Sequence, residues 1–348
     1  MIQDALKTLF NGGSLTREEA RAAMDELMAG RASGEQIAAF LGVLRGKRET
    51  VPELTGFAES LRAHAVSVPV KRNDLIDTCG TGGDGAQTFN ISTASAFILA
   101  AAGLGVAKHG NRSVSSRCGS ADVLEALGVA IEAAPEVVAD SIDRYGFGFL
   151  FAPQFHPAMH HVAPVRRALG VRTFFNILGP LANPAKAKRQ VIGVFDRNLI
   201  ERLCYVLDAL GAEEVMVVAG ADGLDELSLS GETYVGHLKS GAVSVYTVHP
   251  SDANLVPAGL DAIQGGDATF NAKLIQRILG GERGAPRDVV CLNAAAALIV
   301  AGKAADFREG AALAGEMLDS GRAAAVLSQV TLSQVALTDV TQLTSGKP

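Results

Sequence analysis

The sequence predicts an α/β protein, with a small all-helical N-terminal domain and a large α/β domain whose mostly parallel central sheet is flanked by helices. Three observations predict it. Residues 1–68 lack strand signals and carry apolar residues at helical spacing, as in Ile37, Phe40, Leu41 and Leu44, or Leu54, Phe57, Ala58 and Leu61. From residue 74 onward, short apolar runs at 74–79, 104–107, 147–151, 190–195 and 215–219 alternate with helical stretches, the pattern of a parallel sheet. Gly80-Thr81-Gly82-Gly83-Asp84-Gly85 follows the first run and precedes a helix, as a phosphate-cradling turn does.

The elements follow in order. Ile2, Leu6 and Leu9 mark the first helix, and Ala20, Met24, Leu27 and Met28 the second. Thr16 with Glu19, and Ser33 with Gln36, are capping-box pairs ahead of apolar runs. Val66-Ser67-Val68-Pro69-Val70 reads as an extended linker, which divides the chain into domains 1–68 and 69–348. Between the runs at 147–151 and 190–195, helical pieces from His156 to Leu169 and from Phe174 to Leu178 precede the stiff Gly179-Pro180-Leu181-Ala182-Asn183-Pro184. Residues 156–184 are expected to pack back on the N-terminal helices, completing the small domain and placing a hinge over a cleft. The runs at 233–238 and 243–248 have no helix between them and predict an antiparallel edge. The tail from Asn271 to Ser320 is Ala-rich and helical.

Composition excludes several classes. The chain has 348 residues, 48% of them hydrophobic, which is enough for a large core. A net charge of −6 argues against a nucleic-acid-binding surface over the whole molecule. Cys79, Cys118, Cys204 and Cys291 are scattered with no C-x-x-C pair, which argues for a reducing compartment and against zinc or a disulfide framework. Asp4, Arg17, Glu18 and Glu19 interrupt any signal-peptide plan, and the longest apolar stretch, Ala94 to Ala107, is too short to span a bilayer. A cytoplasmic protein without membrane association is expected.

The glycine turn also matches the dinucleotide fingerprint G-x-G-x-x-G, which wants a carboxylate about 20 residues on. Lys108-His109-Gly110-Asn111-Arg112 stands there instead, so a simple NAD site does not fit. After the glycines, Thr88-Phe89-Asn90-Ile91-Ser92-Thr93 sets polar side chains at a helix N-terminus, suited to phosphate, and a Ser hydroxyl can also ligate a hard cation. Taken alone, this turn fits an ordinary capped strand-to-helix connection as well. A second loop runs from Lys108 through Ser113, Ser115, Ser116 and Gly119 to Ser120, combining cations, hydroxyls and glycines. None of it looks core-like, and Lys108 is expected to offer phosphate a compact charge. Asp225-Glu226, in the turn after the run 215–219, could reach a metal's water shell, or be a solvated acidic turn. Arg166 in Pro164-Val165-Arg166-Arg167 could pair a carboxylate bidentately, or lie on a polar surface face. His156, His160 and His161 cluster, with helical spacing between His156 and His160, and a structural role is expected for them. No acid–base or nucleophile dyad can be assigned.

With these loops in view, the sequence strongly resembles the anthranilate phosphoribosyltransferase family of tryptophan biosynthesis. The matching pieces stand in family order: Asp77-Thr78-Cys79-Gly80-Thr81-Gly82-Gly83-Asp84, Asn90-Ile91-Ser92-Thr93, Lys108-His109-Gly110-Asn111-Arg112, Gly119-Ser120-Ala121-Asp122, Arg166, Asn176-Ile177-Leu178-Gly179-Pro180-Leu181 and Asp225-Glu226. The resemblance implies a fold shared with thymidine-type nucleoside phosphorylases and a homodimer through the helical domain. It implies transfer of a phosphoribosyl group from phosphoribosyl pyrophosphate (PRPP) to the anthranilate amine, with Mg²⁺. By the resemblance, PRPP would meet Gly80, Gly83, Asp84, Thr88, Asn90, Ile91, Ser92, Thr93, Lys108, His109, Gly110, Asn111, Arg112, Ser113, Ser115, Ser116 and Ser120. Anthranilate would meet Gly80, Asn111 and Arg166, with His109 nearby as the one candidate for a catalytic side chain. Ser92, Asp225 and Glu226 would serve the metal. A phosphorylase of the same fold is the nearest rival, but it has no evident use for the acidic pair. A non-catalytic relative that binds nucleic acid or a regulatory ligand is disfavoured by the net charge and the intact loops.

Overall fold

In the computed structural model, residues 1–113 and 117–345 are described. Four helices come first: α1 (Ile2–Phe10), α2 (Arg17–Met28), α3 (Gly34–Lys47) and α4 (Val51–Ala63). Reciprocal capping boxes start α2, α3 and α4, at Thr16 with Glu19, Ser33 with Gln36 and Thr50 with Glu53. The α/β part then runs β1 (Leu75–Gly80), α5 (Ile91–Ala101), β2 (Gly105–Gly110), α6 (Ser120–Ala126), α7 (Pro135–Tyr145) and β3 (Phe147–Phe151). Short helices α8 (Ala152–Phe155), α9 (Ala163–Leu169) and α10 (Phe175–Leu178) precede β4 (Arg189–Gly193). Next come α11 (Ile200–Ala209), β5 (Glu214–Gly220), β6 (Thr233–Lys239) and β7 (Ala242–Val248). Helices α12 (Ala268–Leu279), α13 (Ala285–Val300), α14 (Phe307–Asp319) and α15 (Arg322–Ser345) complete the chain.

The strands form one sheet of seven in the order β3-β2-β1-β4-β5-β6-β7. The first five pair in parallel, while β6 and β7 add as the antiparallel edge expected from their short connection. The chain leaves β1 toward β2 and β3, then returns to the other side of β1 with β4. Ligands collect at such a reversal, outside the carboxyl ends of the strands. Gly80 and Gly193 lie side by side there, the last register pair of β1 and β4. Helix α5, apolar on nearly every face, is buried from Thr93 to Ala100 and packs against α13.

The segment between β3 and β4 packs on the N-terminal helices, as its composition predicts. Phe174 stacks on Phe57 with ring centroids 4.5 Å apart, and Phe40 meets Phe57 edge-on at 5.7 Å. The helical stretch expected from His156 to Leu169 is divided in two. Pro157 opens a 3₁₀ turn (Pro157–His161) and Pro164 opens α9, since neither proline can donate an amide inside a helix. That break parts the histidines. His156 turns inward beside His109, with centroids 5.1 Å apart, while His160 lies against His161.

Strand β2 corrects a second expectation. It runs three residues past the apolar run and takes in Lys108, His109 and Gly110, so the start of the polar second loop is core strand. Lys108 is 1% exposed and His109 7%.

A candidate active site at the carboxyl ends of the central strands

The loop after β1 is built on glycine. Gly82, Gly83 and Gly85 all have positive φ, at 69°, 77° and 77°, which side-chain-bearing residues rarely adopt. The loop is fastened from two sides. Thr81 donates its N–H to Gly193 O at 2.9 Å, and Gly265 donates its N–H to Gln87 O at 2.9 Å. From the helical segment, the Arg172 guanidinium donates to Gly83 O and stacks over the Phe195 ring at 4.2 Å. Nothing in the local sequence around Arg172 announces this contact.

Asp225 sits on the glycine pair at the end of β1 and β4. A Cβ at Gly80 would strike the Asp225 carboxylate, and one at Gly193 its backbone carbonyl, so both glycines exist to let this turn come close. Gly82 donates its N–H to Asp225 Oδ2 at 2.7 Å. Asp84, on the same loop, accepts the Ala86 amide at 3.2 Å and lies 3.4 Å from the Asp225 amide. Glu226 reaches the N-terminus of α5, where it accepts the Ser92 amide at 3.2 Å. Burial, then repulsion from Asp84 and Glu226, holds the Asp225 carboxyl far above its ordinary range. Burial pushes Glu226 up to about 7. Among the described residues no three His, Cys, Asp or Glu side chains are placed to hold a metal ion by themselves. A hard cation that takes one or two carboxylates and fills its shell with waters and substrate oxygens would need only part of this cluster.

Below them lies a buried polar layer. Lys108 Nζ donates to Thr78 O at 2.6 Å and Ser92 Oγ at 3.3 Å. Asp77, wholly buried, accepts the His109 amide at 3.1 Å and Asn183 Nδ2 at 2.8 Å. Burial raises Asp77 to about 6 against the pull of Lys108, and lowers Lys108. His109 Nδ1 meets Gly179 O at 3.1 Å, and burial followed by His156 pushes its imidazole down to about 3, so the ring is neutral.

The second loop is partly engaged. Arg112, placed among the phosphate ligands by resemblance, forms ion pairs with Asp122 and Glu125, both at 2.9 Å. Asp122 also accepts the Ser113 amide at 3.0 Å and the Gly119 amide at 2.8 Å. Asn111 is exposed, and its carbonyl accepts the Ala121 amide and the Ser120 hydroxyl. Ser115 and Ser116 lie outside the described residues. At the head of α5, Asn90 donates to Cys118 O and accepts from Asn271, and the buried Thr93 hydroxyl has no partner among the described residues. Ile91 is buried, whereas Thr88 pairs as an isolated bridge with Gln264. On α9, Arg166 is half-buried, stacks over Phe175 at 5.0 Å and has no carboxylate partner among the described residues; burial lowers its pKa.

Residues 72–324 match the glycosyl transferase family a/b domain, and residues 3–65 the helical bundle domain of that family. The chain is 50% identical to the anthranilate phosphoribosyltransferase of Moorella thermoacetica, across 94% of this chain and 96% of the relative. The chain belongs to the anthranilate phosphoribosyltransferase family. The crystal structure of the Thermus thermophilus family member superimposes with a TM-score of 0.90 at 46% identity, covering 94% of this chain and 98% of that one. The Saccharomyces cerevisiae member, solved in complex with PRPP and Mg, gives 0.87 at 26% identity, covering 95% and 98%. As an anthranilate phosphoribosyltransferase, the chain is a glycosyltransferase of the pentosyl-transferring kind. Asp84, Ser92, Asp225 and Glu226 thus stand together at the β1–β4 reversal, whereas Lys108 lies in the layer beneath and Arg112 is held by α6.

Proposed function

We infer that this enzyme transfers the phosphoribosyl group of PRPP to the amine of anthranilate, giving N-(5-phosphoribosyl)anthranilate and pyrophosphate in tryptophan biosynthesis. The observation that carries the reading is a carboxylate cluster seated on the Gly82 amide at the β1–β4 reversal, in a chain whose α9 also carries Arg166, half-buried and without a carboxylate partner among the described residues.

PRPP occupies the loop from Gly80 to Thr93, its phosphates against the amides of Gly82 and Gly83 and the N-terminus of α5, with Asn111 and Ser120 closing the far side. Asp84, Asp225 and Glu226, with the Ser92 hydroxyl, would hold Mg²⁺. When bound, the ion supplies positive charge against the leaving pyrophosphate. Arg166 clamps the anthranilate carboxylate and so aims the aryl amine at C1 of the ribose. The C1–O bond breaks with its electron pair on pyrophosphate, the amine lone pair forms the C1–N bond, and the surplus amine proton passes to solvent. Because the aryl amine is neutral near pH 7, no strong base is required, and the neutral His109 acts by shape and by its bond to Gly179. Closing the small lobe, residues 1–68 with 156–184, over the sheet excludes water from an oxocarbenium-like centre.

We assign a homodimer through the helical domain, supported by Phe10 on α1, 66% exposed, and Val171, 61% exposed. A cytoplasmic location is supported by all four cysteines being buried and outside any disulfide among the described residues. The membrane is not a partner in this reading; among the described residues no helix is long and apolar enough to cross one. Anthranilate fluorescence, followed with PRPP and Mg²⁺ present and each omitted in turn, tests the function. Loss of signal only in the complete mixture supports it, and no loss with folded protein contradicts it.

A further inference from the structure

We propose that a second anion site lies at the hinge between the lobes, built for a compact phosphate-class oxyanion and separate from the substrate cleft. A cavity of about 150 Å³ opens between the end of α3, the segment after α9 and the start of α11. Four guanidinium groups line it: Arg45, Arg48, Arg172 and Arg202. Arg45, Arg48 and Arg172 form no ion pair among the described residues. The second large cavity provides the contrast, because its arginines, Arg72, Arg144 and Arg322, all pair with carboxylates.

A second observation points to a ligand. Thr173 lines the same cavity and is only 7% exposed, yet its buried hydroxyl has no hydrogen-bond partner among the described residues. A buried hydroxyl without a partner loses its hydrogen bonds to water and regains none, so it marks a place where a polar atom belongs. Two carboxyl groups, Glu49 and Asp196, share the wall, so the four guanidinium groups outnumber them two to one.

The donors approach from three elements, so a planar carboxylate, which one guanidinium fork satisfies, would leave the others idle. A tetrahedral oxyanion offers several acceptor oxygens in different directions and fits the set. Occupancy would tie the helical bundle, through Arg45 and Arg48, to the hinge at Arg172 and Thr173 and to α11 at Arg202. Since Arg172 also holds Gly83 O, the site touches the glycine loop from behind.

Equilibrium dialysis of labelled inorganic phosphate at constant ionic strength tests this without reference to activity. Wild type should bind one equivalent more than the Arg45→Gln/Arg48→Gln double variant, or bind that equivalent roughly tenfold or more tightly. Arg202→Gln should show the same loss and serves if the double variant does not fold. Phosphate bound in the substrate cleft would persist in both variants. Binding that is identical in wild type, the double variant and Arg202→Gln, or no phosphate binding at all, overturns the proposal.

Discussion

Gly82 donates its backbone N–H to Asp225 Oδ2 at 2.7 Å, joining the loop after β1 to the turn after β5 across 143 residues. This bond fixes where the acidic pair stands relative to the glycine amides. It depends on the missing side chains at Gly80 and Gly193, over which the Asp225 turn lies.

Gly80→Ala should therefore damage catalysis with little change in secondary structure. The added methyl displaces the Asp225 carboxylate, and a misplacement of this kind costs about a hundredfold in rate. The check is kcat/KM for PRPP beside a far-UV circular dichroism spectrum. A variant of wild-type efficiency would show that the close approach is incidental.

Asp225→Asn with Glu226→Gln should exchange activity for stability. Removing two carboxyls crowded beside Asp84 should stabilise the metal-free protein by about 1 kcal/mol, because repulsion and burial both disfavour their charged forms. The Mg²⁺ dependence of turnover should weaken or change shape at the same time. Melting curves without metal and a Mg²⁺ titration of activity read the two effects; an unchanged metal profile would make the pair structural.

Lys108→Met should act mainly on folding. The ammonium is buried against Thr78 O and balances the buried Asp77, so its loss leaves an uncompensated charge costing about 3 kcal/mol or more. Urea unfolding should show the loss. A stable variant with only a raised KM for PRPP would instead return Lys108 to direct phosphate contact.

Here the sequence misled for a physical reason. Lys-His-Gly-Asn-Arg looks like a solvated loop because its first residues are polar. They are nevertheless buried in β2, because their partners Thr78, Asp77 and Gly179 come from other elements, 30, 32 and 70 residues away. No local pattern carries that information. By contrast, the β-runs, the capping boxes, the antiparallel edge and the packing of residues 156–184 on the bundle were legible, since each rests on local periodicity or chain length. The fracture of that segment at Pro157 and Pro164 was legible too, had proline been weighed above apolar spacing. Arg172 carried no signal, because its partners Gly83 and Phe195 are met only in the fold.

The buried histidines predict a pH effect. Burial lowers His156 to about 4, so its folded-state pKa lies below the unfolded value of about 6.5. For a base, that stability is present above the unfolded pKa and is lost as pH falls toward the folded one. His156→Leu removes the term, so its urea midpoint should approach or overtake that of wild type between about pH 6.5 and about pH 4. Parallel midpoints across that window would mean that the imidazole is not buried as described.

The two ends of the cleft can be separated most directly by steady-state kinetics on Arg166→Ala, with both substrates varied. The half-buried guanidinium has no carboxylate to pair with among the described residues, so its loss should raise KM for anthranilate by roughly a hundredfold, the worth of a charge-assisted bidentate contact, while KM for PRPP moves little. Equal increases in both constants would contradict an acceptor clamp at Arg166 opposite a PRPP site on the glycine loop.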